Sequence, residues 1–479
     1  MSRSKLNNLP LLESVTISDA GAEGMAVAKV DGMVVFVPFV VPGDVVDIQL
    51  YKKKKNYAEG RAVHFHSLSS LRVDQVCPHF GVCGGCKWQT MSYEAQLEAK
   101  QRQVRDNLER LGGVDCSGMR TICGSQEIYF YRNKLEFTFS SRAWRTSAQM
   151  TEVEPDAWGA LGFHVPQLFD KVLPIEHCAL QPDPSNAIRI AVRDYARNNA
   201  LPTYDIRNHT GFLRNLVVRC STTGEWMVIV IVAYDDTARL FPLLDMLKAT
   251  FPQITSLQYI VNTKWNDSYS DLDVVTYAGS DHIEECMEGY AGGRELRFII
   301  NPKSFYQTNS RQAQRLYSFV AEMAELEADD TLYDLYTGTG TIALFLADKC
   351  RKVVGIEYVD EAVADAKVNA IRNGLDNTGF FAGDMAKVLT SDFIAANGRP
   401  DVVVTDPPRA GMHESVVGQL LAAAPRKIVY VSCNPATQAR DLRLLAEKYD
   451  VRRIQPVDMF PHTQHVENVV ELTLNPSCS

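Results

Sequence analysis

Cys433 closes the run Val429-Tyr-Val-Ser-Cys433-Asn-Pro435, downstream of a glycine-rich turn and an Asp-Pro-Pro. A thiol at the end of an apolar, β-branched segment points to covalent catalysis, because thiolate is intrinsically nucleophilic and adds to electron-poor carbon. Further on, Met459-Phe-Pro-His462-Thr-Gln-His465-Val-Glu467-Asn468 leads into the apolar run Val469–Leu472, which brings a carboxylate back toward the thiol. A nucleophile and an acid that can serve as a base are the minimum set for addition followed by proton abstraction. Each residue alone could be structural, since free cysteine is often simply buried.

The elements that position this pair read as a parallel sheet. Thr331–Tyr336 is a short strand, Thr337-Gly338-Thr-Gly340 is a turn, and Thr341–Ala347 is a helix. Glycines at a strand-to-helix turn let the backbone approach a ligand closely. The third glycine of the dinucleotide fingerprint and the lysine of a phosphate-cradling loop are both missing, which favours S-adenosylmethionine, a cofactor without a pyrophosphate. Lys352–Glu357 is a second strand ending in an acid able to accept from both ribose hydroxyls. Phe380–Asp384 ends a third strand, where Asp384 could reach an adenine amino group or merely make a turn. Asp401–Thr405 is a fourth, stopped by Asp406-Pro407-Pro408-Arg409 because consecutive prolines cannot continue a ladder. Lys427–Val431 is the fifth. Ser310–Leu326 is an amphipathic helix capped by Asn309 or Ser310. Strand ends of this kind line one crevice in an open α/β fold. On such a fold the thiol has a use that an amine methyltransferase would lack. Pyrimidine C5 is a poor nucleophile, thiolate addition at C6 makes it enolate-like, and a base must then remove the C5 proton.

The front of the chain carries different signals. Val15–Ser67 alternates short apolar segments with turn residues, the pattern of a small β-barrel, with Lys52–Lys55 placed on a hairpin loop. A lysine-rich loop on such a barrel suits oligonucleotides, although it also suits a solvated turn. Cys77-Pro-His-Phe-Gly-Val-Cys83-Gly-Gly-Cys86 puts three thiols within ten residues. Glycines there allow a tight bend and present N–H groups to sulfur. Cys116, Cys123 and Cys178 are candidates for a fourth ligand, and spacing separates neither these candidates nor zinc from iron–sulfur. A helix over Ser92–Leu111 follows, ended by Gly112-Gly113. Residues 128–290 alternate strand-like runs (Tyr129–Ser140, Leu213–Cys220, Met227–Ala233) with helical stretches, an α+β pattern. The mixed Tyr131-Arg132-Asn133-Lys134 fits half-buried strand residues better than a stacking surface.

The length of 479 residues predicts about three domains. Hydrophobic content of 46% and charged content of 22% are those of a soluble globular protein. Met1–Ala20 lacks a signal-peptide h-region, and Met33–Leu50 is broken by prolines and acids short of a bilayer span, so a cytoplasmic protein without a membrane partner is expected. Eleven cysteines in such a chain argue for metal or catalytic roles over disulfides. The net charge of −9 divides into +4 over residues 1–150 and −13 over the rest, so the front end is the one to face a polyanion.

Taken together, Ser304-Phe-Tyr-Gln307-Thr-Asn309, Asp334-Leu-Tyr336-Thr-Gly338-Thr-Gly340, Ile356-Glu357, Asp406-Pro-Pro-Arg409, Ser432-Cys433-Asn-Pro435 and His465-Val-Glu467-Asn resemble the RNA uracil-C5 methyltransferases, and the whole chain is similar to their bacterial 23S ribosomal RNA branch. The resemblance implies Cys433 as nucleophile and Glu467 as base. It implies cofactor contacts at Gln307, Tyr336, Glu357 and Asp406, which join Gly338, Gly340 and Asp384; Asp406 would also help hold the uracil edge. It further implies a [4Fe-4S] cluster on Cys77, Cys83, Cys86 and Cys178, the last in Ile175-Glu-His-Cys178. One departure is Tyr336-Thr337 where many relatives carry Phe-Cys. The expected organisation is a TRAM-like, OB-like β-barrel over 1–70, a central α+β domain with the cluster over 71–295, and a Rossmann-like α/β catalytic domain over 296–479. The expected partner is uridine in 23S ribosomal RNA, with no DNA and a monomeric chain. A tRNA enzyme would share the catalytic half, but such relatives commonly lack the barrel and the thiols. A non-catalytic iron–sulfur RNA-binding protein leaves the Cys433–Glu467 pair unexplained.

Overall fold

The computed structural model describes residues 9–145, 150 and 158–476. Met1–Asn8, the start of the segment expected to carry no signal sequence, lies outside them.

The first sheet is built from β1 (Leu11–Thr16), β2 (Asp19–Ala20), β3 (Ala26–Val30), β4 (Met33–Val37), β5 (Val45–Lys53) and β6 (Tyr57–Ser67), in the order β1-β5-β6-β4-β3-β2. Alternation explains its core: Val46, Ile48 and Leu50 of β5 are buried while their neighbours are not. Lys52 and Lys53 belong to β5 and only Lys54 and Lys55 reach the turn, so the lysine run begins inside a strand rather than on a loop. Lys52 pairs with Glu59 at 2.6 Å across the hairpin. The helix Tyr93–Asn107 follows, capped by Ser92, and ends in a widened turn at Leu108–Gly112 with Gly113 in the left-handed region.

The middle of the chain forms a mixed seven-stranded sheet from β7 (Lys134–Ser140), β8 (Ala160–His164), β9 (Val172–Pro174), β10 (Leu213–Cys220), β11 (Trp226–Val232), β12 (Ile254–Val261) and β13 (Val275–Gly279). The helices Ser185–Asn198 and Thr237–Thr250 cover it. The expected strand Tyr129–Ser140 is shorter at its start, because Phe130 takes a left-handed φ of 56° that no ladder accepts. The hairpin β14 (Ile283–Gly289) and β15 (Gly293–Ile300) comes next and crosses the position where the second domain was expected to end.

The last sheet holds β16 (Thr331–Leu335), β17 (Lys352–Glu357), β18 (Thr378–Ala382), β19 (Val402–Thr405), β20 (Lys427–Ser432), β21 (Tyr449–Val457) and β22 (Glu467–Leu474), in the order β18-β17-β16-β19-β20-β22-β21. The first five strands in that order are parallel, and β22 runs antiparallel to both its neighbours. β16, β19 and β20 are buried at every position, as strands covered on both faces must be, which is why their sequences read as unbroken apolar runs. Chain direction across the sheet reverses between β16 and β19. Ligands of open α/β sheets bind at such a switch point, beyond the carboxyl ends of the strands. The helix Ser310–Ala324 packs on this sheet, with Asn309 as its cap, accepting from the Gln312 N–H at 3.2 Å.

Candidate functional site

Beyond the ends of β16, β17, β19 and β20 lies a cavity of about 1570 Å³. Gln307, Tyr336, Gly338, Glu357, Asp384 and Asp406 stand on its walls, and so do Cys433 and Glu467. The register explains the last two. Ser432 pairs with Asn468 across β20 and β22, so one step further along both strands sets Cys433 opposite Glu467. Val466 is buried in the core while His465 and Glu467, on either side of it, both line the cavity. Asp406 follows Thr405, which pairs with Tyr430, and so arrives at the same sheet end.

The electrostatics follow from burial. Desolvation pushes the Cys433 thiol up to about 11, reinforced by Glu467 and Asp406 and opposed by Arg409. Asp406 is pushed up to about 7, by burial first and then by Asp334. Glu467 is held well above the usual carboxylate range by burial and by the Asp406 charge. Neither carboxylate has a hydrogen-bond partner among the described residues. His465 is pushed down to about 4, by burial and then by the cations Arg409, Lys100 and Arg132, so its ring is neutral near pH 7.

The turn after β16 is tightly made. Tyr336 itself has a left-handed φ of 64°, and its hydroxyl is pushed up to about 12 by burial. The Glu357 carboxylate accepts from the N–H groups of Gly338 at 3.0 Å, Tyr358 at 2.7 Å and Val359 at 3.0 Å, which fixes its orientation at the cavity wall. A Cβ on Gly338 would meet nothing within 4 Å, so that glycine borders open space. Gly340 differs, since it is not on the cavity wall. A Cβ there would come within 3.0 Å of Ala366 and 3.2 Å of Phe380, so it serves helix packing. Asp384 caps the short helix Met385–Val388, accepting from the Ala386 N–H at 3.1 Å.

Asp334 escaped the sequence reading as a functional group. It is fully buried in β16, one oxygen accepts from Thr337 and from the Ala343 N–H, and the other has no partner. Burial pushes it up to about 7. The available signal was an acid inside an otherwise apolar buried strand. Arg409 and His465 are two further wall residues to which the motifs gave no role.

A second cavity, of about 720 Å³, is lined by Cys77, Cys83, Cys86 and Cys178. Cys116 and Cys123 lie elsewhere, in or beside the cores of the last sheet. The Cys77 loop docks on the segment before Cys178: the Glu176 N–H donates to His79 Nε2 at 2.9 Å, and Arg189 donates to the Ile175 and Glu176 carbonyls. Burial pushes Cys83 up to about 11 and Cys86 to about 12, and each is raised further by the neighbouring thiols. Four thiols facing one space fit a thiolate-bound group. Among the described residues, however, no three His, Cys, Asp or Glu side chains are grouped as a metal-ion site.

The two cavities share a wall, the strap Lys303–Tyr306. They also share a brace. Asp458 is fully buried and accepts from Lys100 Nζ at 2.6 Å and the Tyr93 hydroxyl at 2.9 Å. Four residues later the His462 carbonyl accepts from the Lys87 and Trp88 N–H groups at 2.8 and 3.1 Å. The segment entering Glu467 is thus tied to the loop carrying the thiols.

A family model described as tRNA (uracil-5-)-methyltransferase matches residues 276–475, and a TRAM-domain model matches residues 13–63. A Bacteroides thetaiotaomicron RNA methyltransferase is 56% identical over 457 residues, 95% of this chain and 99% of its own. One from Porphyromonas gingivalis is 52% identical over 467 residues, 96% of this chain and 99% of its own. Among solved structures, the Pyrococcus abyssi tRNA (uracil-54, C5)-methyltransferase in complex with S-adenosyl-L-homocysteine superposes with a TM-score of 0.74 at 27% identity, over 96% of this chain and 99% of that one. Coverage that wide includes the barrel. The expectation that a barrel separates ribosomal from transfer RNA enzymes is thereby corrected. Among the described residues no helix is long and apolar enough to cross a membrane.

Proposed function

This chain belongs to the RNA (uracil-5-)-methyltransferase family, and on that premise we propose that it methylates C5 of uridine in 23S ribosomal RNA with Cys433 as nucleophile and Glu467 as base. The observation that carries the mechanism is the cross-strand register that sets Cys433 and Glu467 on one cavity wall. Tyr336, Gly338, Glu357 and Asp384 would hold S-adenosylmethionine, which would supply an electrophilic methyl group on a cationic sulfur.

Cys433 reacts as thiolate, so its proton passes first to solvent; Arg409 favours that state, while burial and the two carboxylates oppose it. Sγ bonds to C6 and the C5–C6 π pair moves toward C5 and O4. C5 then takes the methyl group as the bond from that carbon to the donor sulfur breaks, the electron pair staying on sulfur so that S-adenosylhomocysteine leaves. The Glu467 carboxylate removes the C5 proton, the C5–C6 double bond re-forms, and the C6–S bond breaks to return the thiolate. Burial and the Asp406 charge suit Glu467 to this step, because once ionised it has a high proton affinity. Asp406, on the wall of the same cavity, would accept from the uracil N3–H.

Cys77, Cys83, Cys86 and Cys178 would hold a [4Fe-4S] cluster that ties the Cys77 loop to the middle sheet. Four thiols lining one cavity support this. The division at about residues 70 and 295 belongs to the same reading, as do a monomeric chain and a cytoplasmic location without DNA or membrane partners.

One observation favours a second reading, transfer RNA as substrate: the Pyrococcus neighbour acts on tRNA and shares the whole architecture. Incubation with methyl-labelled S-adenosylmethionine and separately purified ribosomal and transfer RNA from a strain lacking the gene tests both. Label in 5-methyluridine of 23S RNA is the expected result. Label in transfer RNA selects the second reading, and label on an amino nitrogen contradicts the chemistry.

A further inference from the structure

Cys433, Arg409 and His465 line a third cavity as well as the catalytic one. This groove, of about 340 Å³, has walls from three parts of the chain: the Asp19–Glu23 turn of the barrel, the Arg102, Gln103 and Asn107 face of the helix Tyr93–Asn107, and the Asn434 and Gln464 loops. Resting on the uridine reading above, we propose that the groove holds the nucleotide adjacent to the methylated uridine, so that the RNA strand leaves the catalytic cavity between barrel and helix.

The argument starts from covalent connectivity. C6 of uracil is bonded to N1, and N1 carries the ribose. A sulfur bonded to C6 therefore has the sugar carbon only three bonds away, whatever the pose of the ring. The sugar–phosphate backbone must pass Cys433, and Cys433 is where the groove meets the cavity.

Charge orders the contents of the groove. Arg409 at the junction is exposed and has no carboxylate partner among the described residues, which suits a phosphate. Farther along, Asp19 and Asp106 are paired with Arg102 and Arg110 and Glu23 adds an acid without a cationic partner among the described residues, so that end offers no free cation for a second phosphate and is left to sugar and base edge. The side-chain amides of Gln103 and Gln464 have no hydrogen-bond partner in the described chain and can read such an edge. Arg102 donates to Asp19 at 3.0 Å, joining helix to barrel beside the groove. A space this small takes one unstacked nucleotide and not a duplex.

The test is steady-state methylation of ribosomal RNA from the strain lacking the gene, with KM for RNA and affinity for S-adenosylmethionine measured separately. Gln103→Trp should fill the groove and raise the RNA KM more than tenfold, and Gln103→Ala with Gln464→Ala should raise it about tenfold, with methyl-donor affinity unchanged. Arg105→Ala, on the same helix outside the groove, should match wild type. Wild-type RNA KM for Gln103→Trp, or an equal loss from Arg105→Ala, overturns the inference while leaving the uridine reading intact. A wild-type protein that makes no 5-methyluridine overturns both.

Discussion

The two cysteine-bearing cavities differ in what brings their residues together. In the catalytic cavity every key group sits at the end of a strand: Asp406 after β19, Cys433 after β20, Glu467 at the head of β22. Sheet register alone sets their spacing, and the sheet is among the most deeply buried parts of the molecule. In the thiol cavity three cysteines come from one loop, and Cys178 comes from a segment fixed by side-chain contacts through His79, Asn186 and Arg189. A site made by strand ends is rigid before any ligand arrives, whereas one made by loops depends on what binds there. On the proposed reading, the thiols of the second site would release protons to bind iron, and loading would couple to folding of the loop.

The largest effect that would sharpen this contrast is at the first site. Cys433→Ala should abolish methyl transfer, by about 10⁴-fold or more, while thermal stability and methyl-donor binding stay near wild type, read by single-turnover kinetics and calorimetry. At the second site Cys178→Ser should do the reverse. Iron and sulfide content should fall to background and Tm should drop by several degrees, while catalysis per folded molecule falls far less than for Cys433→Ala. Equal losses at both sites would break the distinction.

Next in size is the pH dependence. Cys433 and Glu467 both react in their ionised forms and both are held above their ordinary ranges, so kcat/KM should rise with pH from 6 to 9 instead of levelling above 5. The smallest effect is on stability. Asp406 folds with its carboxyl raised to about 7, so its contribution is fully present below the ordinary carboxylate pKa and is lost as pH rises through about 7. Asp406→Asn should therefore raise Tm by about 3 °C at pH 8 and change it little at pH 4, while lowering activity.

The same contrast explains what could be read in the sequence. β17 occupies Lys352–Glu357 as expected, and the Asp406-Pro-Pro stop ends a strand, because buried parallel strands write themselves as apolar runs closed by prolines or acids. Gly338 and Gly340 looked alike in sequence yet differ in space, one facing the cavity and one packing against Ala366, since packing depends on elements far along the chain. Asp334 and the Lys100–Asp458 brace were invisible for the same reason: a buried acid or lysine gains meaning only from its partner. Cys178 could not be chosen over Cys116 and Cys123 by spacing, because the contacts that carry it to the Cys77 loop are tertiary.

The transient bond between Cys433 and uracil C6 is tested most directly by Glu467→Gln. Incubated with S-adenosylmethionine and RNA from the strain lacking the gene, this variant should accumulate a protein–RNA adduct that survives a denaturing gel, carries a methylated uracil on Cys433 by mass spectrometry, and disappears when Cys433→Ala is added. Free 5-methyluridine formed at the wild-type rate with no adduct would contradict the account.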